Sequence, residues 1–383
     1  MTQARLSPAL DCLLVAAFLV AIVVPLVGTA AGWDRDDTTA ENREPAPLPS
    51  SPRDLATLAA WPEAFTRYYA DRFAFRARLV RWQARLRIGV LKASPAPDVL
   101  LGRDRWLFYA NDGAVQDYAG VQPFTAFELE QWRATLQHTQ DWLEQRGIGY
   151  VFVLAPDKHW IYPERMPGGV HGKIRPTRLD QLVAHLRRHS TVRLVDARDG
   201  LVQTSSARRL YHLTDSHWND QGAFIAYRQV MAEIGPPLRL QARAPEEMEE
   251  RVIPRTGFDL ARMLGLGSVL VEEDLQLEPH GGRRSRVVEP TRSNRELMVT
   301  RVVTEGPSSG PRALIFRDSF GSAMIPFLSE HFSRAVYLWQ TNFDPGQVMA
   351  ERPDVVIQQW VGRHLHTVSP FDAVAALSAA SQQ

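Results

Sequence analysis

A chain of 383 residues with 45% hydrophobic and 9% aromatic side chains has apolar material for a sizeable core, which excludes wholesale disorder. Lys plus Arg number 44 and Asp plus Glu 43, a net charge of +1 that gives no electrostatic case for nucleic acid as the main partner. The single cysteine, Cys12, excludes an intramolecular disulfide framework, a Cys-rich zinc site and an iron–sulfur cluster.

From Cys12 to Trp33 no residue is charged, and a helix of about 20 such residues crosses a bilayer. Arg5 precedes the run, and Asp34, Asp36 and Asp37 follow it. The positive flank therefore predicts a body outside the cytoplasm. The segment reads as a membrane anchor, or as a signal peptide cut near Thr29-Ala30-Ala31. Residues 34–60, with Pro45, Pro47, Pro49 and Pro52, read as a linker. Pro62–Leu91 reads as one helix, with Phe65, Tyr69, Phe73, Leu79, Trp82 and Leu86 at helical spacing, inside an N-terminal helical segment 61–97.

The remainder, 98–383, reads as one α/β domain. Val99–Asp112 predicts two short strands around a turn at Gly102–Asp104. Phe127–Arg146 predicts a helix closed by Gly147, and Tyr150–Ala155 a strand buried on both faces. A helix over Thr177–His189, a strand over Val192–Val195 and a helix over Asp220–Ile234 follow. Asn219 is the expected N-cap of the last, and Gly235-Pro236-Pro237 its expected stop. Leu238–Pro311 is irregular and charged, with room for insertions and edge strands. Strands at Ala313–Phe316, Ala335–Trp339 and Val355–Trp360, with a helix at Ala323–His331, complete a mainly parallel sheet flanked by helices.

Open α/β sheets bind ligands at the carboxyl ends of their strands. Two segments at such ends carry chemistry. Ser319 follows an apolar strand and opens a helix, where free backbone N–H groups favour an oxyanion. The G-x-S-x-G elbow is absent, because Arg317 occupies its first glycine position. A serine needs a base, and His217 is singled out by Asp215 two residues earlier, on the same side of an extended chain. His212, Asp215 and His217 as metal ligands are the rival reading. His364 and His366 form a second metal-like pair, read as surface, and His185 and His189 read as solvated. Trp160, Tyr162, Trp218, Trp339 and Trp360 can stack on sugar rings or fill the core. Lys158 and Arg363 can meet acidic uronates or lie on the surface. Asn342 is a candidate oxyanion donor.

The order Asp, His, Ser inverts that of most SGNH hydrolases. It resembles the alginate O-acetyltransferase AlgX/AlgJ family, through Gly102–Tyr109 (GRDRWLFY), Ala155–Pro167 (APDKHWIYPERMP), Thr214–Ala223 (TDSHWNDQGA), Asp259–Leu266 (DLARMLGL), Arg317–Gly321 (RDSFG) and Pro353–Arg363. The similarity spans about Trp61–Arg363 and is closer to the membrane-anchored AlgJ arrangement. Arg317 stands where a glycine is common before Asp-Ser, and Gly362 where an acidic residue often precedes the arginine. The resemblance implies an SGNH hydrolase-like fold with a permuted motif order, and Asp215, His217 and Ser319 as the catalytic groups. It implies acetyl transfer to an exopolysaccharide in the periplasm, at the inner membrane. It further implies an acetyl donor delivered by a membrane-bound O-acyltransferase partner. No cofactor and no metal are expected. An acetylesterase using water, or a non-catalytic secretion scaffold, would keep the same residues.

Overall fold

The computed structural model describes residues 8–33, 45–168, 175–289 and 300–368. Arg5, residues 34–44 of the expected linker and residues 290–299 of the irregular region lie outside the described residues. The chain divides into two compact units, Met1–Ala96 with Thr256–Leu270, and Pro97–Arg255 with Val271–Gln383.

In the first unit, α1 (Pro8–Ala31) is continuous, and over Ala9–Ala31 it is long and apolar enough to cross a bilayer. α2 (Leu55–Arg72) opens with a capping box: Asp54 accepts the Thr57 N–H at 2.7 Å and Thr57 Oγ1 accepts the Asp54 N–H at 3.1 Å. The single helix expected over Pro62–Leu91 is broken. α3 runs Arg76–Gly89, and Phe75 sits at φ 67° between the two helices. The apolar spacing continues across the break, with neither Gly nor Pro to mark it. A tertiary bond does mark it, since the Ala74 N–H donates to Thr29 Oγ1 at 2.8 Å.

In the second unit, seven strands among the described residues form one sheet in the order β4 (Leu194–Asp196), β3 (Gly149–Ala155), β11 (Val355–Val361), β9 (Arg312–Arg317), β10 (Arg334–Trp339), β8 (Arg301–Glu305) and β7 (Arg286–Glu289). β3, β4, β9, β10 and β11 are parallel. β8 and β7 add an antiparallel edge from the region read as irregular. Two antiparallel pairs stand apart from the sheet. β1 (Val99–Leu101) pairs with β2 (Leu107–Tyr109), and β5 (Met248–Arg255) with β6 (Glu272–Pro279).

Alternation along the strands divides the core into two layers. Val151, Val153 and Ala155 of β3 face one way, with Ala313, Ile315 and Tyr337. Against them pack α8 (Arg198–Ser205), α9 (Asp220–Leu238) and α12 (Ile325–Leu328). Tyr150, Phe152 and Leu154 face the other way, with Leu314 and Phe316. That side is covered by α5 (Ala126–Glu144), α7 (Arg178–His189) and α13 (Pro345–Glu351). Short helices α4 (Ala114–Ala119), α6 (Lys158–Ile161), α11 (Ser319–Ser322) and α14 (His364–Thr367) fill loops.

Two helix expectations need correction. α9 continues through Gly235-Pro236-Pro237 and stops at Arg239, φ 56°. Prolines in a final turn remove only donors there, and the carbonyls of Gly235 and Pro236 still accept N–H groups from Leu240 and Arg239 at 2.9 and 3.3 Å. The helix expected over Ala323–His331 is instead the short α12 followed by a 3₁₀ turn at Ser329–His331. The Ser329 hydroxyl is engaged by Thr304 and Tyr337 at 2.9 and 2.8 Å, which fixes that turn.

His331 bonds the Tyr227 hydroxyl at 2.6 Å, and burial, then Arg243 and Arg284, push its pKa down to about 4. An unfolded histidine titrates near 6.5, so on acidification the unfolded chain takes the proton first. Stability contributed by the neutral ring is complete above about pH 6.5 and falls by roughly 3 kcal/mol towards pH 4. Urea unfolding at the two pH values measures the fall. His331→Gln, which keeps an acceptor for Tyr227 but cannot titrate, should shrink it. An unchanged fall in that variant assigns the pH dependence elsewhere.

Candidate active site

The carboxyl ends of β3, β9 and β11 lie side by side, and each is followed by functional residues. Asp157 and Lys158 follow β3, Asp318 and Ser319 follow β9, and Gly362 and Arg363 follow β11. These loops are tied together. The Asp318 carboxylate accepts N–H groups from Phe320 at 2.8 Å and Val361 at 2.6 Å. The Asp157 carboxylate accepts the Arg363 N–H at 2.9 Å and pairs with its guanidinium. Asp318 is buried, which alone would raise its pKa, but His364, 3.3 Å away, and Arg363 hold it below the usual carboxylate range.

The segment bearing Asp215 and His217 is a closed hairpin, not an extended strand. Tyr211 bridges Trp218, and the His212 N–H donates to the His217 carbonyl at 3.2 Å. The Asp–His contact therefore comes from a bend. The Asp215 Oδ1 accepts the His217 backbone N–H at 3.0 Å and meets its Nδ1 at 2.5 Å. The opposite ring nitrogen, Nε2, lies 2.7 Å from Ser319 Oγ. Burial opposes ionisation of Asp215, yet the adjoining His217 holds it well below the usual carboxylate range. A carboxylate, an imidazole and a partly exposed hydroxyl thus form one continuous chain of hydrogen bonds, the arrangement that activates a nucleophile.

Opposite buried charges fix the hairpin. Lys158 Nζ donates to the carbonyls of His212 and Leu107 at 2.7 Å and Leu213 at 3.2 Å. Glu272 of β6 accepts the N–H groups of Leu213 at 3.0 Å and Thr214 at 2.6 Å, and the Thr214 hydroxyl at 2.5 Å. Trp218 Nε1 donates to the Phe320 carbonyl at 3.0 Å, and the Phe320 ring packs 4.9 Å from that of His217. Glu272 lies in the stretch read as irregular, so the sequence offered no period or motif to single it out.

Several expected roles change. Lys158 is 2% exposed and serves backbone carbonyls, not a uronate. Trp218, Tyr162 and Trp360 are core residues, while Trp160 and Trp339 are half-buried. Arg363 is 7% exposed and paired with Asp157. Asn342 is exposed in the loop after β10, where its carbonyl accepts from Gln340. The His212 Nδ1 faces Glu272 and Asp274 at 3.4 and 3.8 Å, and not the Asp215 carboxylate that the rival metal reading grouped with it. His364 and His366 are not a pair on the surface. They face different carboxylates, Asp318 at 3.3 Å and Asp117 at 3.0 Å. His185 stands 3.5 Å from Glu130.

The backbone at the serine also differs from expectation. α11 spans only four residues, and the Phe320 N–H is committed to Asp318. The Phe320 N–H is therefore removed from the donors expected at this helix start. Arg317 is buried, its guanidinium bonded to Ser322 Oγ at 2.9 Å and laid over the Trp339 ring, and burial pushes it down to about 10. Gly321 is required beside it, because a Cβ there would lie 2.7 Å from Arg317 Cβ and 2.8 Å from Gln359 Oε1.

A three-layer α/β domain with Asp, His and Ser in that order is an SGNH hydrolase-like fold with the serine last. The family described as "SGNH hydrolase-like domain, acetyltransferase AlgX" matches residues 99–301, and the chain belongs to it. That match includes Asp215 and His217 and ends before Ser319. A protein named "Probable alginate O-acetylase AlgJ" from Pseudomonas putida is 30% identical over 141 residues, 36% of this chain and 34% of the relative. The same name from Azotobacter vinelandii is 25% identical over 342 residues, 84% of each chain. The chain therefore spans about a third of the Pseudomonas putida relative and most of the Azotobacter one. Bacillus cereus PatB1 shares the fold, with a TM-score of 0.53 at 17% identity over 71% of this chain and 98% of that structure.

Removing the Glu272 carboxylate leaves two backbone N–H groups of the hairpin without their acceptor, a cost of about 1–3 kcal/mol for each buried group. Glu272→Ala should therefore lower turnover of a chromogenic acetyl ester at least tenfold, while Glu272→Gln, which keeps one acceptor oxygen, recovers part of it. Equal rates in wild type and Glu272→Ala would mean the hairpin holds its shape without the clamp.

Proposed function

We propose that this chain is an O-acetyltransferase that moves an acetyl group through an acetyl-Ser319 intermediate onto hydroxyls of an exopolysaccharide, alginate or a similar polymer. The observation that carries the reading is the 2.7 Å contact between His217 Nε2 and Ser319 Oγ, with Asp215 on the far side of the ring. The family's description and the relatives' names support the transferase over other acyl chemistry.

His217 Nε2 takes the Ser319 proton as Oγ attacks the acetyl carbonyl carbon of the donor. The Ser319 N–H, at the start of α11, is the backbone donor assigned to the oxyanion. The tetrahedral adduct collapses, the donor oxygen leaves with the proton from Nε2, and the acetyl group stays on Oγ. A sugar hydroxyl then gives its proton to Nε2 and attacks the acetyl-serine, and Ser319 leaves with that proton. Asp215 stays ionised throughout and steadies the imidazolium. The acetyl donor comes from a membrane-bound O-acyltransferase partner. The chain is held at the periplasmic face of the inner membrane by α1, and its acceptor is a polysaccharide.

Intact-mass spectrometry after exposure to an acetyl ester should find one acetyl adduct on Ser319, absent in Ser319→Ala. His217→Ala should slow adduct formation by about a thousandfold or more. With an acidic oligosaccharide present, the acetyl group should move to the sugar. Acetate released at one rate with or without oligosaccharide, and no acetylated sugar, would identify an esterase. Polymer acetylation that persists in cells carrying Ser319→Ala would identify a scaffold.

A further inference from the structure

α3 carries an exposed apolar stripe. Leu79, Trp82, Leu86 and Val90 are 48%, 65%, 40% and 69% exposed. At 100° per residue these four fall within an arc of about 80° on the helix. The opposite face holds Ala84, buried, with Val80 and Ile88 half-buried. Arginines border the stripe on both sides, Arg78 and Arg85 along one edge and Arg76 and Arg87 along the other. Residues 55–96 contain eight Lys or Arg and two acidic residues, Glu63 and Asp71. An apolar stripe between two cationic borders, on the outward face of a folded unit, is the form of a helix lying in a membrane interface.

Its position agrees. The start of α3 is fastened to the end of α1. The Ala74 N–H donates to Thr29 Oγ1 at 2.8 Å, and Thr29 Oγ1 donates to the Pro25 carbonyl at 2.7 Å. The approach is close, for a Cβ on Gly28 would lie 2.8 Å from Ala74 Cβ. Trp33, half exposed, follows α1 where aromatic residues commonly mark a bilayer interface. When α1 crosses a membrane, α3 therefore begins at the height where that membrane ends.

We propose that α3 lies in the surface of the same leaflet. Its Leu79–Trp82–Leu86–Val90 face sits among the outer acyl carbons, and its arginines engage anionic lipid headgroups. The occupant is lipid because α3 starts from a segment fastened to the end of the span and its borders carry the charge opposite to anionic headgroups. The inference rests on α1 being a membrane span.

The test uses the full chain in nanodiscs of phosphatidylcholine, with or without phosphatidylglycerol. A nitroxide is placed through Trp82→Cys in a Cys12→Ala background, and others through Leu19→Cys in α1 and Met349→Cys on the second unit. Accessibility to oxygen and to a water-soluble nickel chelate is read by electron paramagnetic resonance. The label at position 82 should prefer oxygen, at a depth of roughly 5–10 Å below the phosphates, while that at 349 prefers the chelate. Combining Arg85→Glu with Arg87→Glu should lower the inserted fraction severalfold in discs containing phosphatidylglycerol. Chelate access at position 82 overturns the proposal. So does protection from both reagents, which would mean a protein covers the stripe. Position 19 reports the span separately. A label in the acyl region there with an aqueous one at 82 ends this inference and keeps the anchor. An aqueous label at 19 ends the anchor and this inference with it.

Discussion

A hydrogen bond of 2.7 Å between two side chains 102 residues apart is the constraint around which the second unit is organised. Ser319 belongs to the turn after a central strand. His217 belongs to a hairpin that is not part of the sheet. For the two to meet, the hairpin must be held against the strand end more firmly than its own short turns could hold it. The clamp of Lys158 on its carbonyls and Glu272 on its amides does that, because each buried charge is matched to backbone dipoles of the opposite sign. The Trp218 indole adds a bond to the carbonyl immediately beyond Ser319, so the base and the hydroxyl it serves are carried on linked backbones.

The parallel sheet explains why so many charged groups are buried in one place. Adjacent parallel strands end at the same edge, and the loops leaving that edge present backbone N–H groups with no ladder partners. Asp157 and Asp318 satisfy those donors, Arg363 pairs with Asp157, and His364 lies 3.3 Å from Asp318. By sequence Arg363 reads as a uronate contact or a surface charge. Its guanidinium instead completes this network beside the Phe320 ring, 5.4 Å away. The antiparallel edge of β8 and β7 and the β5–β6 pair come from the charged stretch with no readable period. That stretch still supplies Glu272, a reminder that a surface ribbon can position a core loop.

The sequence by itself determined the apolar N-terminal span, the alternation of buried strands and helices, the N-cap at Asn219, and the pairing of Asp215 with His217. All of these are set by residues close in the chain, where periodicity, side-chain capping and short spacing act directly. Even there the reason was only partly legible: the Asp215–His217 contact is made by a bend, not by strand alternation. Only the tertiary structure decided the break between α2 and α3, the passage of α9 through two prolines, the burial of Lys158 and Trp218, the role of Glu272, and the meeting of His217 with Ser319. All of these except the ending of α9 depend on a partner distant in sequence. Burial and hydrogen bonding across the fold choose among local conformations that differ by little, so the same residue types would read alike in a chain folded otherwise.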